Sequence, residues 1–226
     1  MTDTDLKIDI KSTRVYLVSP GEGKYHNRLL TVFNRLVDAG FKRIQYFKSI
    51  PGKTGTSSLT STFMEIFKIE LDNDDPFIII EDDAELYFDY DIVTVPTSCD
   101  ILYLGVSYWA YLYPVTTCYS HGRPNICPNS EKSVQPYNQQ LTKIGGMTGG
   151  HAILYRSRDL MREFLKHMTN INKLVDSVPH DLVFSALHQS YGVYGLVKPM
   201  FYQDAKLGGQ EDVTKLIFNG HRYERG

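Results

Sequence analysis

The sequence is short of several things at once. It has three cysteines in 226 residues, Cys99, Cys118 and Cys127, and an odd number leaves one thiol without a partner. So thin a set excludes a dense disulfide framework and makes a reducing compartment the expectation. Cys118, His121 and Cys127 match no common zinc-ligand spacing. No apolar run is long enough to cross a bilayer, so no transmembrane segment is expected. The first residues are polar and lack the apolar stretch of a signal peptide, which makes the cytoplasm the expected location. A formal net charge of -2 gives no electrostatic reason to expect a nucleic-acid partner. Internal repeats and domain-marking composition breaks are also missing.

What is there suits a globular chain. The hydrophobic share of 42% and the charged share of 22% are ordinary, and the length allows a sizeable core. Residues 1–13 are polar and mixed in charge, and read as an irregular leader ahead of one domain over 14–226. Arg14 to Val18 reads as a strand and Ser19 to Gly23 as a turn. Leu29, Val32, Phe33, Leu36 and Val37 recur at the helical period, with Gly40 placed as a C-terminal cap. Arg43 to Phe47 reads as a second strand. This strand–helix–strand order predicts an α/β fold whose central sheet is mixed, mainly parallel and flanked by helices.

Ser49 to Ser58 reads as a loop. Gly52-Lys53-Thr54 lacks the upstream glycine of a phosphate-binding loop. Leu59, Phe63, Ile66 and Phe67 mark the next helix. Asp100 to Gly105 reads as a buried strand, followed by the aromatics Tyr108, Trp109, Tyr111 and Tyr113. Those aromatics could stack on a sugar or pack in a half-buried strand. Residues 114–143 read as a long irregular segment. Gly145 to Gly150 leads into the strand His151 to Tyr155. Ser157 can cap a helix with Leu160, Met161, Phe164, Leu165 and Met168 inside. Pro179-His180-Asp181 opens a last helix, with Leu182, Val183, Ala186 and Leu187 inside. Tyr191 to Val197 reads as a strand, and the tail from Pro199 as polar.

The stretch that organises the chain is Pro76 to Ala84. Phe77 to Ile80 is apolar without a break and reads as a fully buried strand. It ends in Glu81-Asp82-Asp83. Three adjacent carboxylates repel one another unless a cation or donors compensate them. The pattern fits a divalent-cation site at a strand's carboxyl end, and it equally fits a solvated acidic turn.

Taken together, a Ser/Gly turn after the first strand, the acidic triplet, a glycine cluster and an Asp at a helix start resemble a nucleotide-sugar transferase of the GT-A type. The closer resemblance is to the glycosyltransferase family 25 group of lipopolysaccharide- and collagen-modifying enzymes, and to related viral glycosyltransferases. It rests on the helix of Arg28, on Ser57 to Ser61, on Phe77 to Asp83 and on Gly149 to Leu154. The chain departs from it in having Thr62 where a histidine is expected and His151 where an aromatic is more usual.

The resemblance implies a single GT-A-like, Rossmann-related domain. It implies transfer of a hexosyl or deoxyhexosyl group from a nucleotide-sugar, UDP-linked, to a hydroxyl of a glycan or glycoconjugate, with inversion. It implies Mn²⁺ or Mg²⁺ as cofactor, with Asp83 as ligand and His180 either completing the metal shell or serving as base. Asp181 would be the base. Ser19 and Pro20 would line the base pocket, and Lys24 or Arg28 would pair with phosphate. Asp82 would face the ribose or the metal's second shell, and Glu81 would hydrogen-bond the ribose or brace the loop. Gly149 and Gly150 would let the backbone approach the donor sugar. Two other readings use the same residues: a nucleotidyltransferase acting on a sugar phosphate, and a non-catalytic glycan-binding protein on a transferase fold.

Overall fold

The computed structural model describes residues 5–105, 115–120, 123–128, 134–147, 149–171, 179–209, 217–218 and 221–222. Strands are β1 (Asp5–Asp9), β2 (Arg14–Ser19), β3 (Ile44–Lys48), β4 (Phe77–Glu81), β5 (Ala84–Leu86), β6 (Ile92–Pro96) and β7 (Ile101–Tyr103). They continue as β8 (Val115–Ser120), β9 (Arg123–Pro128), β10 (Val134–Pro136), β11 (Leu141–Ile144), β12 (Ala152–Tyr155), β13 (Val193–Leu196) and β14 (Phe201–Gln203). The helices are α1 (Lys24–Asp38), α2 (Gly55–Glu70), α3 (Arg158–Ile171) and α4 (His180–Leu187).

The main sheet has eight strands in the order β10-β11-β13-β7-β12-β4-β2-β3. β2 pairs in parallel with both β3 and β4, and β13 pairs in parallel with β7. β12 and β11 run against the rest. The protein is therefore an α/β domain with a mixed central sheet whose strands mostly point one way, as the sequence pattern leads one to expect.

Two apolar clusters cover the two faces. Phe77 and Ile79 of β4 pack with Phe63 and Phe67 of α2, Phe164 of α3 and Phe184 of α4. Ile78 and Ile80 pack with Leu29, Val32 and Leu36 of α1 and with Val93 and Val95 of β6. The alternation explains why β4 is apolar throughout: both of its faces are buried. The chain runs from β2 through α1 out to β3, then back through α2 over β2 to β4. Right-handed crossovers in opposite directions put α1 and α2 on opposite faces. The crevice beyond the carboxyl ends of β2 and β4 is thus a switch point of the sheet.

Local signals account for the helix ends. Thr54 caps α2, accepting from the Ser57 N–H, while Ser57 Oγ accepts from the Thr54 N–H at 3.0 Å. The Leu160 N–H donates to Ser157 Oγ at 3.2 Å at the start of α3. Gly40 follows α1 at φ 87°, the left-handed stop the sequence predicts.

Several expectations are corrected. Asp5–Asp9 is not irregular: it pairs antiparallel with β6, because Ile8 can bury there at 5% exposure. Ser57 and Ser58 belong to α2 and not to the preceding loop. The segment 114–143 carries strands: β8 pairs with β9, and β10 and β11 extend the main sheet. Val37 and Ala186 are exposed, whereas Phe184 and Ser185 are buried. The tail is not simply polar, since Met200, Phe201 and Tyr202 are buried and β14 pairs with β5. The aromatics Tyr108 to Tyr113 lie outside the described residues, as do the side chains of Cys118, His121 and Cys127. Cys99 is buried, and its thiol donates to the Ile101 carbonyl at 3.3 Å.

Candidate functional site

The acidic triplet sits where β4 runs out of sheet. Glu81 is the last paired residue, opposite Val18 of β2, and its N–H donates to the His151 carbonyl at 2.9 Å. Strand alternation then splits the acids. Glu81 continues the row of Phe77 and Ile79 toward α4, while Asp82 continues the row of Ile78 and Ile80 toward α1. Asp82 and Asp83 are 5% and 8% exposed, so the solvated-turn reading is corrected: these carboxylates are buried.

On the α1 side, the Arg28 guanidinium meets both acids. Its Nη2 lies 2.7 Å from Asp82 Oδ1 and 3.2 Å from Asp83 Oδ2. Ser19 Oγ donates to Asp82 Oδ2 and accepts from the Gly21 N–H at 3.0 Å. Gly21 is required there: its φ is 71°, and a Cβ would fall 2.1 Å from Tyr46 Oη. Pro20 is half-buried beside this turn, and Lys24 is exposed with its Nζ 5.1 Å from the Tyr25 ring centroid. The structure thus brings Arg28 onto carboxylates, where the sequence expectation was a phosphate.

On the α4 side, β12 runs antiparallel to β4, so its beginning arrives at the acid-bearing edge. That places Gly149 and Gly150 beside Glu81. The Gly149 N–H donates to Asp181 Oδ2 at 3.0 Å. A Cβ on Gly150 would lie 2.6 Å from His180 Nε2 and 3.4 Å from Glu81 Oε1. His180 is buried against Phe63, with ring centroids 4.1 Å apart, and its Nε2 has no hydrogen-bond partner. The same loop is held from behind, where the Met147 N–H donates to His188 Nδ1 at 3.1 Å. His188 Nε2 lies 3.0 Å from Tyr103 Oη.

The tail closes the third side. The Asp204 N–H donates to the Asp83 carbonyl at 2.9 Å, and Gln203 hydrogen-bonds the Asp83 carboxylate. Beyond Arg28, an open groove of about 470 Å³ runs between α1 and residues 205–208, with Lys24, Asn27 and Lys206 on its walls.

The electrostatics follow from this crowding. Burial pushes the Glu81 carboxyl well above the usual carboxylate range, and the charges of Asp83, Asp181 and Asp82 push it further. Asp82 and Asp83 are also raised, by burial first, with Arg28 pulling both back down. His180 is lowered by burial, against the opposing pull of Asp181. Burial pushes His188 down to about 3 and His151 down to about 4.

Among the described residues, no three His, Cys, Asp or Glu side chains form a cage for a metal ion. At this site a buried carboxylate oxygen, Asp83 Oδ1, nevertheless has no hydrogen-bond partner. A hard cation that takes most of its ligands from water and substrate phosphates needs only one or two protein carboxylates. The open acceptor on Asp83 suits a cation of that kind, which Asp83 would hold.

The acids, the glycines, Asp181 and His180 are legible in the sequence. The pairing of Arg28 with the acids is not, nor are the contributions of Gln203, Lys206 and His188. Gln203 falls in the tail that reads only as polar. Nothing local to Lys206 or His188 signals a site.

No family model matches the chain, and no curated protein matches it. Among solved structures, mouse Xyloside xylosyltransferase 1 in its apo form is similar over 79% of this chain and 82% of that one. The TM-score is 0.41 and the identity 8%. It is a distant structural match to a glycosyltransferase. No helix among the described residues is long and apolar enough to cross a membrane.

Proposed function

We propose that this chain is a glycosyltransferase that moves a sugar from a nucleotide-sugar, UDP-linked, to a hydroxyl of a glycan acceptor, with a divalent cation, Mn²⁺ or Mg²⁺, at Asp83. One observation carries the reading. Glu81, Asp82, Asp83 and Asp181 converge at the switch point of the sheet, where the Arg28 guanidinium pairs with Asp82 and Asp83. A buried excess of negative charge calls for further positive charge. A cation bound with a diphosphate answers that need, and it would stabilise charge on the departing diphosphate.

The protein's own residues have separable tasks in this reading. Asp83 would hold the cation, which would supply positive charge to the departing diphosphate. Ser19 orients Asp82, and Arg28 offsets the burial that raises it while no ligand is bound. The Gly149–Gly150 backbone, free of side chains, lies against the donor sugar. The acceptor hydroxyl oxygen attacks the anomeric carbon, its proton passes to the Asp181 carboxylate, and the bond from that carbon to the diphosphate oxygen breaks. Gly149 fixes Asp181 through Oδ2, which assigns the proton to Oδ1.

A non-catalytic glycan-binding protein is the second reading, and the double contact of Arg28 favours it, because an acid pair already neutralised by a guanidinium needs no metal. Thermal unfolding with UDP, GDP, CMP and their sugars, each with and without Mn²⁺, separates the two. A ligand at a hundred times its Kd adds about 2.7 kcal/mol, roughly 5–10 °C for a chain of this size. The transferase reading expects a Mn²⁺-dependent rise with one nucleotide, lost in Asp83→Ala. No rise with any nucleotide refutes it.

A further inference from the structure

Arg28 is placed unlike a structural ion-pair partner. A single nitrogen, Nη2, serves both Asp82 and Asp83, while its Nε is buried without a partner. A guanidinium offers five N–H groups in a rigid fork, and a settled bidentate pair would use more of them. The two acids are also unequal. Asp82 has a second donor in Ser19 Oγ, itself fixed by the Gly21 N–H, so it stays held if Arg28 withdraws. Asp83 already carries one unpartnered oxygen and would be left with Gln203 and its own backbone N–H.

There is also somewhere for the guanidinium to go. The groove of about 470 Å³ opens at Arg28 and is lined by Lys24, Asn27, Thr31 and Lys206. Gly208 borders it at φ 93°, and its missing Cβ would stand 3.1 Å from Arg28 Nη1. Bare glycine there leaves room beside the guanidinium, and two lysines make the groove attractive to an anion.

We infer that Arg28 is an exchangeable counter-ion, which neutralises Asp82 and Asp83 in the ligand-free protein and yields Asp83 to a divalent cation as it turns to a phosphate-type anion in the Lys24–Lys206 groove. The inference rests on the transferase reading above and adds a positioning residue to it. Cation and anion then assist each other through Arg28 without touching the same protein atoms, since each removes what holds the other out.

The test is Mn²⁺ titration of the nucleotide-free protein, with the spin-resonance signal of the free aqua ion reporting what is bound. Wild type is compared with Arg28→Met, Arg28→Lys and Asp83→Asn, with folding checked by circular dichroism. Exchange expects Arg28→Met to bind Mn²⁺ about tenfold tighter than wild type, the size of an ordinary coupling between sites. Arg28→Lys should fall between, because an ammonium is a single point charge without the fork. Asp83→Asn should bind least. Equal or weaker binding by Arg28→Met overturns the inference, as does absence of Mn²⁺ binding to both proteins. Should Arg28→Met fail to fold, Arg28→Lys decides by the same comparison. A wild type that shows no exchange but keeps its Mn²⁺-dependent nucleotide shift leaves the transferase reading standing. Loss of that shift sinks the transferase reading whatever Arg28 does.

Discussion

Asp181 is asked to do two things, and they separate by mutation. Its Oδ2 accepts the Gly149 N–H at 3.0 Å and so ties the glycine segment to α4. A hydrogen bond to a charged group is worth about 1.5–3 kcal/mol, less where solvent reaches it. Asp181 is half-buried, so Asp181→Ala should cost about 1–2 kcal/mol. Asp181→Asn keeps an acceptor oxygen for Gly149 and removes a charge that pushes Glu81 upward. The retained bond and the eased repulsion both favour the Asn variant, which should stay within about 1 kcal/mol of wild type. Urea denaturation followed by circular dichroism resolves that difference. If Asp181 is also the base, Asp181→Asn should lose about 10²–10⁴ in sugar-transfer rate while remaining folded. Equal stability for Asp181→Ala and wild type would refute the anchoring role. Full transfer by Asp181→Asn would refute the catalytic one.

Other consequences follow from named contacts. Gly150→Ala puts a Cβ 2.6 Å from His180 Nε2, and His180 is backed by Phe63, so overpacking should cost about 1–3 kcal/mol in urea denaturation. Ser19→Ala removes the hydroxyl donor of Asp82 and the acceptor of the Gly21 N–H, and should cost about 1–3 kcal/mol by the same assay. His151 is buried neutral with its pKa down at about 4, against 6.5 when unfolded. Its stabilising contribution is complete above pH 6.5 and is lost as pH falls from there toward 4, a change of roughly 3 kcal/mol. The raised carboxyls act in the opposite sense, favouring the folded state as pH falls. The stability difference between wild type and His151→Gln, measured from pH 7 to 4, isolates the histidine and should shrink with acid. A difference flat in pH would refute its burial as a neutral group.

The sequence by itself determined the local elements and the chemistry they carry. The unbroken run Phe77 to Ile80 reads as a strand buried on both faces, and its acidic end marks where the charge gathers. The period of Leu29, Val32 and Leu36 determined the inner face of α1, and Gly40 its stop. Such signals are legible because they act through neighbours a few residues apart. Composition could not decide what compensates the acids. Arg28 and Asp82 are far apart in the chain and meet because a parallel pairing of β2 with β4 sets Val18 beside Glu81 and a right-handed crossover lays α1 over them. Asp181 reaches Gly149 because β12 runs antiparallel and delivers its beginning to the acid-bearing edge. Gln203 reaches Asp83 because three buried residues, Met200 to Tyr202, dock the tail on β5. In each case the partner was chosen by strand direction and the face a helix covers, and these are settled only when the whole sheet assembles.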